Sequence, residues 1–200
     1  MKVIALTGGI GSGKSVVSAI LLIMGHAVYD CDRHAKKIMD FSDAIKQRLV
    51  VAFGPDSVNG KGEINRKYIG GVVFNNPEAL LTLNGIVHPE VRKDLQEWIG
   101  IKTKEGYSCV FVETAILKES NLKDMVNAEW NVYAPVNLRI QRVMKRNNLS
   151  EAEVRARIES QSSTDEISEL SIINDDINAI LPQIERNLKM IGAIDFAHVG

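Results

Sequence analysis

The sequence predicts an α/β protein built on a parallel sheet with helices on both faces. Three observations carry this: short apolar strands alternate with helical stretches, the first strand runs through a glycine loop into a helix, and no repeat or low-complexity linker interrupts the pattern. Lys2–Thr7 (KVIALT) is a short apolar run rich in β-formers, as a buried parallel strand should be. Val16–Met24 (VVSAILLIM) continues as an apolar helix, with Gly25 as its C-terminal stop. His26–Tyr29 reads as a second strand ending at Asp30-Cys31-Asp32, and it is expected to neighbour the first. Ser108–Val112 is a third strand ending in Glu113, Trp130–Ala134 a fourth stopped by Pro135, and Ile172–Ile173 a short fifth before Asn174-Asp175-Asp176. Ligands on such sheets bind at the carboxyl ends of the strands, so Gly8, Asp32, Glu113 and Pro135 should share one edge.

Between the second and third strands, residues from about 40 to 104 read mostly as helix, with Asn65–Phe74 and then Pro77–Trp98, broken at His88-Pro89. A simple crossover needs only about a dozen residues, so this stretch is an inserted helical lobe, either holding an acceptor substrate or only packing. His88-Pro89 by itself reads as a helix start or a bend.

Gly8 to Ser15, GGIGSGKS, match the phosphate-binding pattern G-x-x-x-x-G-K-[ST] in full. Gly8 and Gly13 let the backbone turn tightly enough to aim N–H donors at one anion, and Gly9 and Gly11 add freedom for that wrap. Lys14 can place its ammonium on the β- and γ-phosphates, and the Ser15 hydroxyl can ligate Mg²⁺. The helix that follows points its positive end at the same anion. The chain is therefore expected to bind a nucleoside triphosphate.

Composition agrees with a soluble enzyme. With 200 residues and 45% hydrophobic content the chain can bury one good core. A net charge of -1 argues against nucleic acid or an anionic membrane as the main partner. Cys31 and Cys109 form no metal or redox pattern and suggest reduced thiols in the cytoplasm. No segment approaches the roughly 18 apolar residues of a membrane span. Nothing in the sequence fixes an oligomeric state.

Asp32, just past the second strand, is placed to take the proton of an attacking hydroxyl, or else to N-cap the helix starting near Arg33. Asp30 ranks second, as an outer-sphere partner of Mg²⁺. Glu113 stands where many phosphate-loop proteins keep a metal-linked acid. Arg139, Arg142, Lys145 and Arg146 recur at offsets of three and four, which places them along one helical face. Residues 136–161 hold six basic and three acidic side chains, a net +3 against -4 for the remainder. Such a face suits a lid over phosphates, spanning about 136–162, or is an ordinary solvated surface. Ser150 with Glu153 forms a capping box, so the segment is a helix pair around Asn147-Asn148.

Assembled in order, these pieces resemble the dephospho-coenzyme A kinase family. The resemblance rests on ALTGGIGSGKS at Ala5–Ser15, Tyr29-Asp30-Cys31-Asp32, Phe53-Gly54, Ile64-Asn65-Arg66, Phe74-Asn75-Asn76-Pro77 and His88-Pro89. Gln141-Arg142 to Arg146, Arg157, Gln161 and Asn174 complete it. It implies one catalytic domain over residues 1–200, a P-loop fold of the nucleoside-monophosphate-kinase kind with a helical acceptor-binding insert and a helical lid. It implies transfer of the γ-phosphate of ATP·Mg²⁺ to the ribose 3′-hydroxyl of dephospho-coenzyme A, with Asp32 as base, Lys14 as phosphate clamp and Arg142 as lid cation. Arg66 and His88 would join Asp32 on the acceptor side. The nucleotide would rest on Gly9, Gly11, Ser12, Gly13, Lys14, Ser15 and Val16, with Asn174 near adenine.

The chain also departs from the family pattern. Val16 stands where many members have Thr, leaving only a backbone donor towards the α-phosphate. Glu113, Ala115 and Lys118 stand where Asp, Pro and Phe are more usual, and Asn174-Asp175-Asp176 lacks the glycine that commonly follows the Asn. Another small-molecule or nucleotide kinase would share the loop, acid and lid. A GTP-dependent switch protein should carry Asn-Lys-x-Asp and Asp-x-x-Gly, and neither string occurs.

Overall fold

Five of the six residues of Lys2–Thr7 (β1) are buried, because the strand is covered on both edges as well as both faces. The computed structural model, which describes residues 1–74, 76–117, 119–161 and 167–193, places β1 at the centre of a five-stranded sheet. The other strands are Ala27–Asp30 (β2), Cys109–Glu113 (β3), Ala128–Tyr133 (β4) and Ile172–Ile173 (β5). Their order is β2-β3-β1-β4-β5. The pairings of β1 with β3, β1 with β4 and β4 with β5 are all parallel. The expectation that the second strand neighbours the first is wrong: β3 lies between them. Each strand's apolar run tells which faces are buried but not which edge it meets, so local sequence leaves this order open.

Alternation along the strands builds the core. Register sets Ile4 beside Phe111 and Leu6 beside Trp130, all on one face. Phe111 and Trp130 meet edge to face with centroids 5.0 Å apart. Lys14–Ile23 (α1) and Ile180–Met190 (α8) close over them through Val17, Leu21, Ile184 and Leu188, each fully buried. Burial of this kind is worth roughly 3–5 kcal/mol for an aromatic truncated to Ala.

The chain divides into two compact units, Met1–Tyr29 with Lys102–Gly200 and Asp30–Ile101. The first contains the sheet, α1 and α8, together with Val136–Asn147 (α6) and Glu151–Glu159 (α7). The second is helical: Cys31–Phe41 (α2), Asp43–Phe53 (α3), Arg66–Val73 (α4) and Pro77–Lys104 (α5), whose last three residues belong to the first unit. Asp30, Ser42 and Asn65 cap α2, α3 and α4, each side chain accepting a backbone N–H of the first turn.

The break expected at His88-Pro89 is absent, and α5 runs through Pro89. A proline in a helix removes one N–H and strands the carbonyl four residues back, here that of Gly85. Arg48 supplies the replacement, its guanidinium donating to the Gly85 carbonyl at 3.3 Å. Asn75, Lys118 and residue 162, named in the sequence expectations, lie outside the described residues.

Candidate functional site

The glycine loop joins the carboxyl end of β1 to α1, and its backbone is shaped by what it must pass. Gly13 has φ 96° and is the N-cap of α1. A β-carbon there would be strained and would overlap Nδ2 of Asn174. Gly8, at φ 141°, would in the same way overlap the carbonyl oxygen of Val132 on β4. Lys14 Nζ lies inside the loop and donates to the Gly8 carbonyl at 2.6 Å and to the Gly9 carbonyl at 3.4 Å. Ser15 and Val16 are exposed on the first turn of α1. Ser12 is buried, and among the described residues its hydroxyl has no hydrogen-bond partner.

Two further elements of the first unit reach this loop. The α6 residue Arg139 is 3% exposed, and its Nε donates to the Ile10 carbonyl at 2.9 Å. Gln161, just past α7, accepts the Ile10 N–H at 2.8 Å through Oε1. The Ile10 side chain packs into the cluster of Ile140, Val143 and Val154 between α6 and α7. The helix pair therefore holds the loop tip by its donor, its acceptor and its side chain. The capping box at the start of α7 is present as expected, with Ser150 and Glu153 bonded reciprocally.

The four cations of α6 do not act as one face. Arg139 turns inward, Lys145 and Arg146 are exposed, and Arg142 reaches the loop. Its guanidinium donates to the Gly11 carbonyl at 3.5 Å, to Asn174 Oδ1 at 3.2 Å and to Asp176 Oδ1 at 2.5 Å. Asn174 follows β5, is 8% exposed, and donates through Nδ2 to the Ser12 carbonyl at 2.8 Å. Lys14, Arg142, Asn174, Gly9, Gly11, Ser12 and Gly13 thus converge within one unit. Two cations, loop amides and a helix N-terminus are the groups that can together accept an anion.

The acids divide differently. Glu113 closes β3 and accepts from the Ser18 hydroxyl of α1 at 2.6 Å, so it is tied to the helix behind the loop. Asp30, not Asp32, caps α2: its Oδ1 accepts the Arg33 N–H at 2.9 Å. This overturns the cap reading of Asp32 and gives Asp30 a structural task at the start of α2. Asp32 is left exposed in the first turn of α2.

Asp32, Arg66 and His88 all belong to the second unit. Arg66 donates to the Lys36 carbonyl at 3.2 Å and pairs with Asp40 at 2.8 Å, one turn and more along α2 from Asp32. His88 is half-buried within α5. Sequence reasoning missed Asp176, Ser18 and the roles of Arg139 and Gln161. Only Gln161 carried a signal, through the family resemblance; the others depend on partners far along the chain.

The sequence model of the family described as dephospho-CoA kinase matches residues 2–178. A dephospho-CoA kinase of Staphylococcus saprophyticus is 40% identical over 190 residues, covering 94% of this chain and 92% of that protein. One from Staphylococcus aureus is 37% identical, covering 100% and 98%. A crystal structure of a Thermus thermophilus protein superposes with TM-score 0.79 at 34% identity, covering 96% of both chains. Dephospho-CoA kinase from Campylobacter jejuni superposes with TM-score 0.64 at 27% identity, again over 96% of both. A glycine loop gripped by lysine, arginine and asparagine, in a chain matched from end to end by these proteins, leaves one assignment: the chain belongs to the dephospho-CoA kinase family.

Proposed function

We propose that this chain moves the γ-phosphoryl group of ATP to the ribose 3′-hydroxyl of dephospho-coenzyme A, and that its residues divide the work as follows. Lys14, Arg142 and the loop amides hold and neutralise the phosphate chain. The exposed carboxylate of Asp32 accepts the 3′-hydroxyl proton as the new O–P bond forms and the bond to the β-phosphate oxygen breaks, leaving ADP. Arg66 and His88 orient the acceptor, and Asn174 holds the nucleotide side of the loop. The reaction belongs in the cytoplasm, where ATP is supplied.

The observation that carries this reading is the convergence of Lys14, Arg142 and Asn174 on one glycine loop in a member of this family. Phosphoryl transfer asks little covalent chemistry of a protein, so positioned positive charge supplies most of the rate. Ser15 presents a hard hydroxyl oxygen at the exposed first turn of α1, a donor type that fits Mg²⁺. Mg²⁺, when bound with ATP, adds charge neutralisation on the β- and γ-phosphates.

The test is a coupled assay of ADP release with dephospho-coenzyme A and a panel of other hydroxyl acceptors, with the product's phosphate position read by ³¹P NMR. Turnover restricted to dephospho-coenzyme A with a 3′-phosphate product is expected. Turnover with another acceptor alone would overturn the reading. Asp32→Asn should then lower kcat by about a hundred- to ten-thousandfold, the usual worth of a general base, with melting temperature unchanged.

A further inference from the structure

The turn after β5 holds one non-glycine residue in the left-handed region. Asp176 has φ 64°, in the left-handed region, where a glycine would sit with less strain. Its neighbour Asp175 already fixes the turn, Oδ1 accepting the N–H of Ile177 at 3.0 Å and of Asn178 at 2.8 Å. Those same backbone bonds hold the Asp175 carboxyl below its ordinary range. The Asp176 side chain looks the other way, across 34 residues to α6, where its Oδ1 meets Arg142 at 2.5 Å. The Arg142 side chain is 26% exposed and that of Asp176 64%, so the guanidinium is the inner partner and the carboxylate the outer one.

We infer that Asp176 is a positioning residue for the kinase reaction, holding the Arg142 guanidinium against the glycine loop before a phosphate chain arrives. The inference rests on the reading of Arg142 as the phosphate-facing cation. Arginine is long and rotamer-rich, and its planar head offers five N–H donors. Asp176 and Asn174 occupy one end of that head and Gly11 the other, which fixes its plane over the loop. A half-exposed ion pair adds little to folding stability, so its purpose is visible in kinetics rather than melting.

A double-mutant cycle on the full chain tests this. Asp176→Gly should keep or raise the melting temperature, because glycine relaxes the left-handed turn. It should lower kcat by about tenfold, with the KM for ATP changed less than about threefold, the mark of an interaction expressed in the transition state. Asp176→Asn tolerates the same φ and keeps an acceptor, and should recover most of the lost kcat. In an Arg142→Ala background, Asp176→Gly should have no further effect. Parent kcat in Asp176→Gly would overturn the inference, as would equal losses in both backgrounds. A lower KM at unchanged kcat would also overturn it, by showing that the carboxylate competes with phosphate. Parent kcat in Arg142→Ala alone would instead remove the reading beneath it, so the two failures are told apart.

Discussion

Lys14 makes a residue-scale argument in two parts. Its ammonium bonds the Gly8 and Gly9 carbonyls, so it already lies within the wrap of the glycine loop. Lys14→Ala should leave a folded protein and lower turnover by about a thousandfold or more, through lost charge stabilisation of the transferred phosphoryl. Melting and single-turnover kinetics check it, and near-normal turnover would refute the phosphate-clamp role. The two aspartates after β2 make the complementary case. Asp30→Ala should cost about 1 kcal/mol of stability, the usual worth of a cap, and leave the chemical step nearly intact. Asp32→Asn should do the reverse. At this scale the glycine loop was legible because its chemistry is written in eight consecutive residues. The cap was not, because Asp30 and Asp32 are both good caps and only the helix start, at Cys31, decides between them.

At the scale of elements, the strands, α1 and α4 were readable from apolar periodicity to within two residues, whereas α5 runs six residues past its expected end at Trp98 and α8 was not read at all. Pro89 reads as a helix break; it is tolerated because Arg48, 37 residues before Gly85, serves the freed Gly85 carbonyl. Arg139 reads as a surface cation, yet it is buried because the Ile10 carbonyl meets it. No local pattern encodes either partner. The capping box of α7 was legible, since both of its residues lie within one turn, and it makes a pH prediction. The Ser150 hydroxyl, then its backbone N–H, hold the Glu153 carboxyl below its ordinary value of 4.5. A depressed carboxyl contributes stability above that ordinary value and loses it as pH falls through the folded value. Ser150→Ala should therefore lower the melting temperature at pH 7, and the gap from the parent should narrow as pH drops below about 4.5. A gap that stays constant from pH 7 to pH 3 would show that Glu153 takes no part in the cap.

For the whole molecule, the residues proposed for the two substrates fall in different units. Lys14, Arg142 and Asn174 stand in the sheet-bearing unit, and Asp32, Arg66 and His88 in the helical one. The residue types could be found in sequence, but their partition could not, because it depends on where the chain leaves and rejoins the sheet-bearing unit, at Asp30 and Lys102. Each ligand should then leave its own footprint in backbone hydrogen exchange. A non-hydrolysable ATP analogue with Mg²⁺ should slow exchange in residues 8–16 and in α6. Dephospho-coenzyme A alone should slow it at the first turn of α2, in α4 and around His88. Either ligand at a hundredfold over its Kd adds about 2.7 kcal/mol to the stability of the state it binds, enough to be read site by site. Arg66→Ala should weaken the dephospho-coenzyme A footprint and leave that of the ATP analogue unchanged, because Arg66 stands in the helical unit and the residues proposed to hold ATP do not. Protection by dephospho-coenzyme A confined to the glycine loop and α6 would place the acceptor in the sheet-bearing unit, and the roles given to Arg66 and His88 would fall with it.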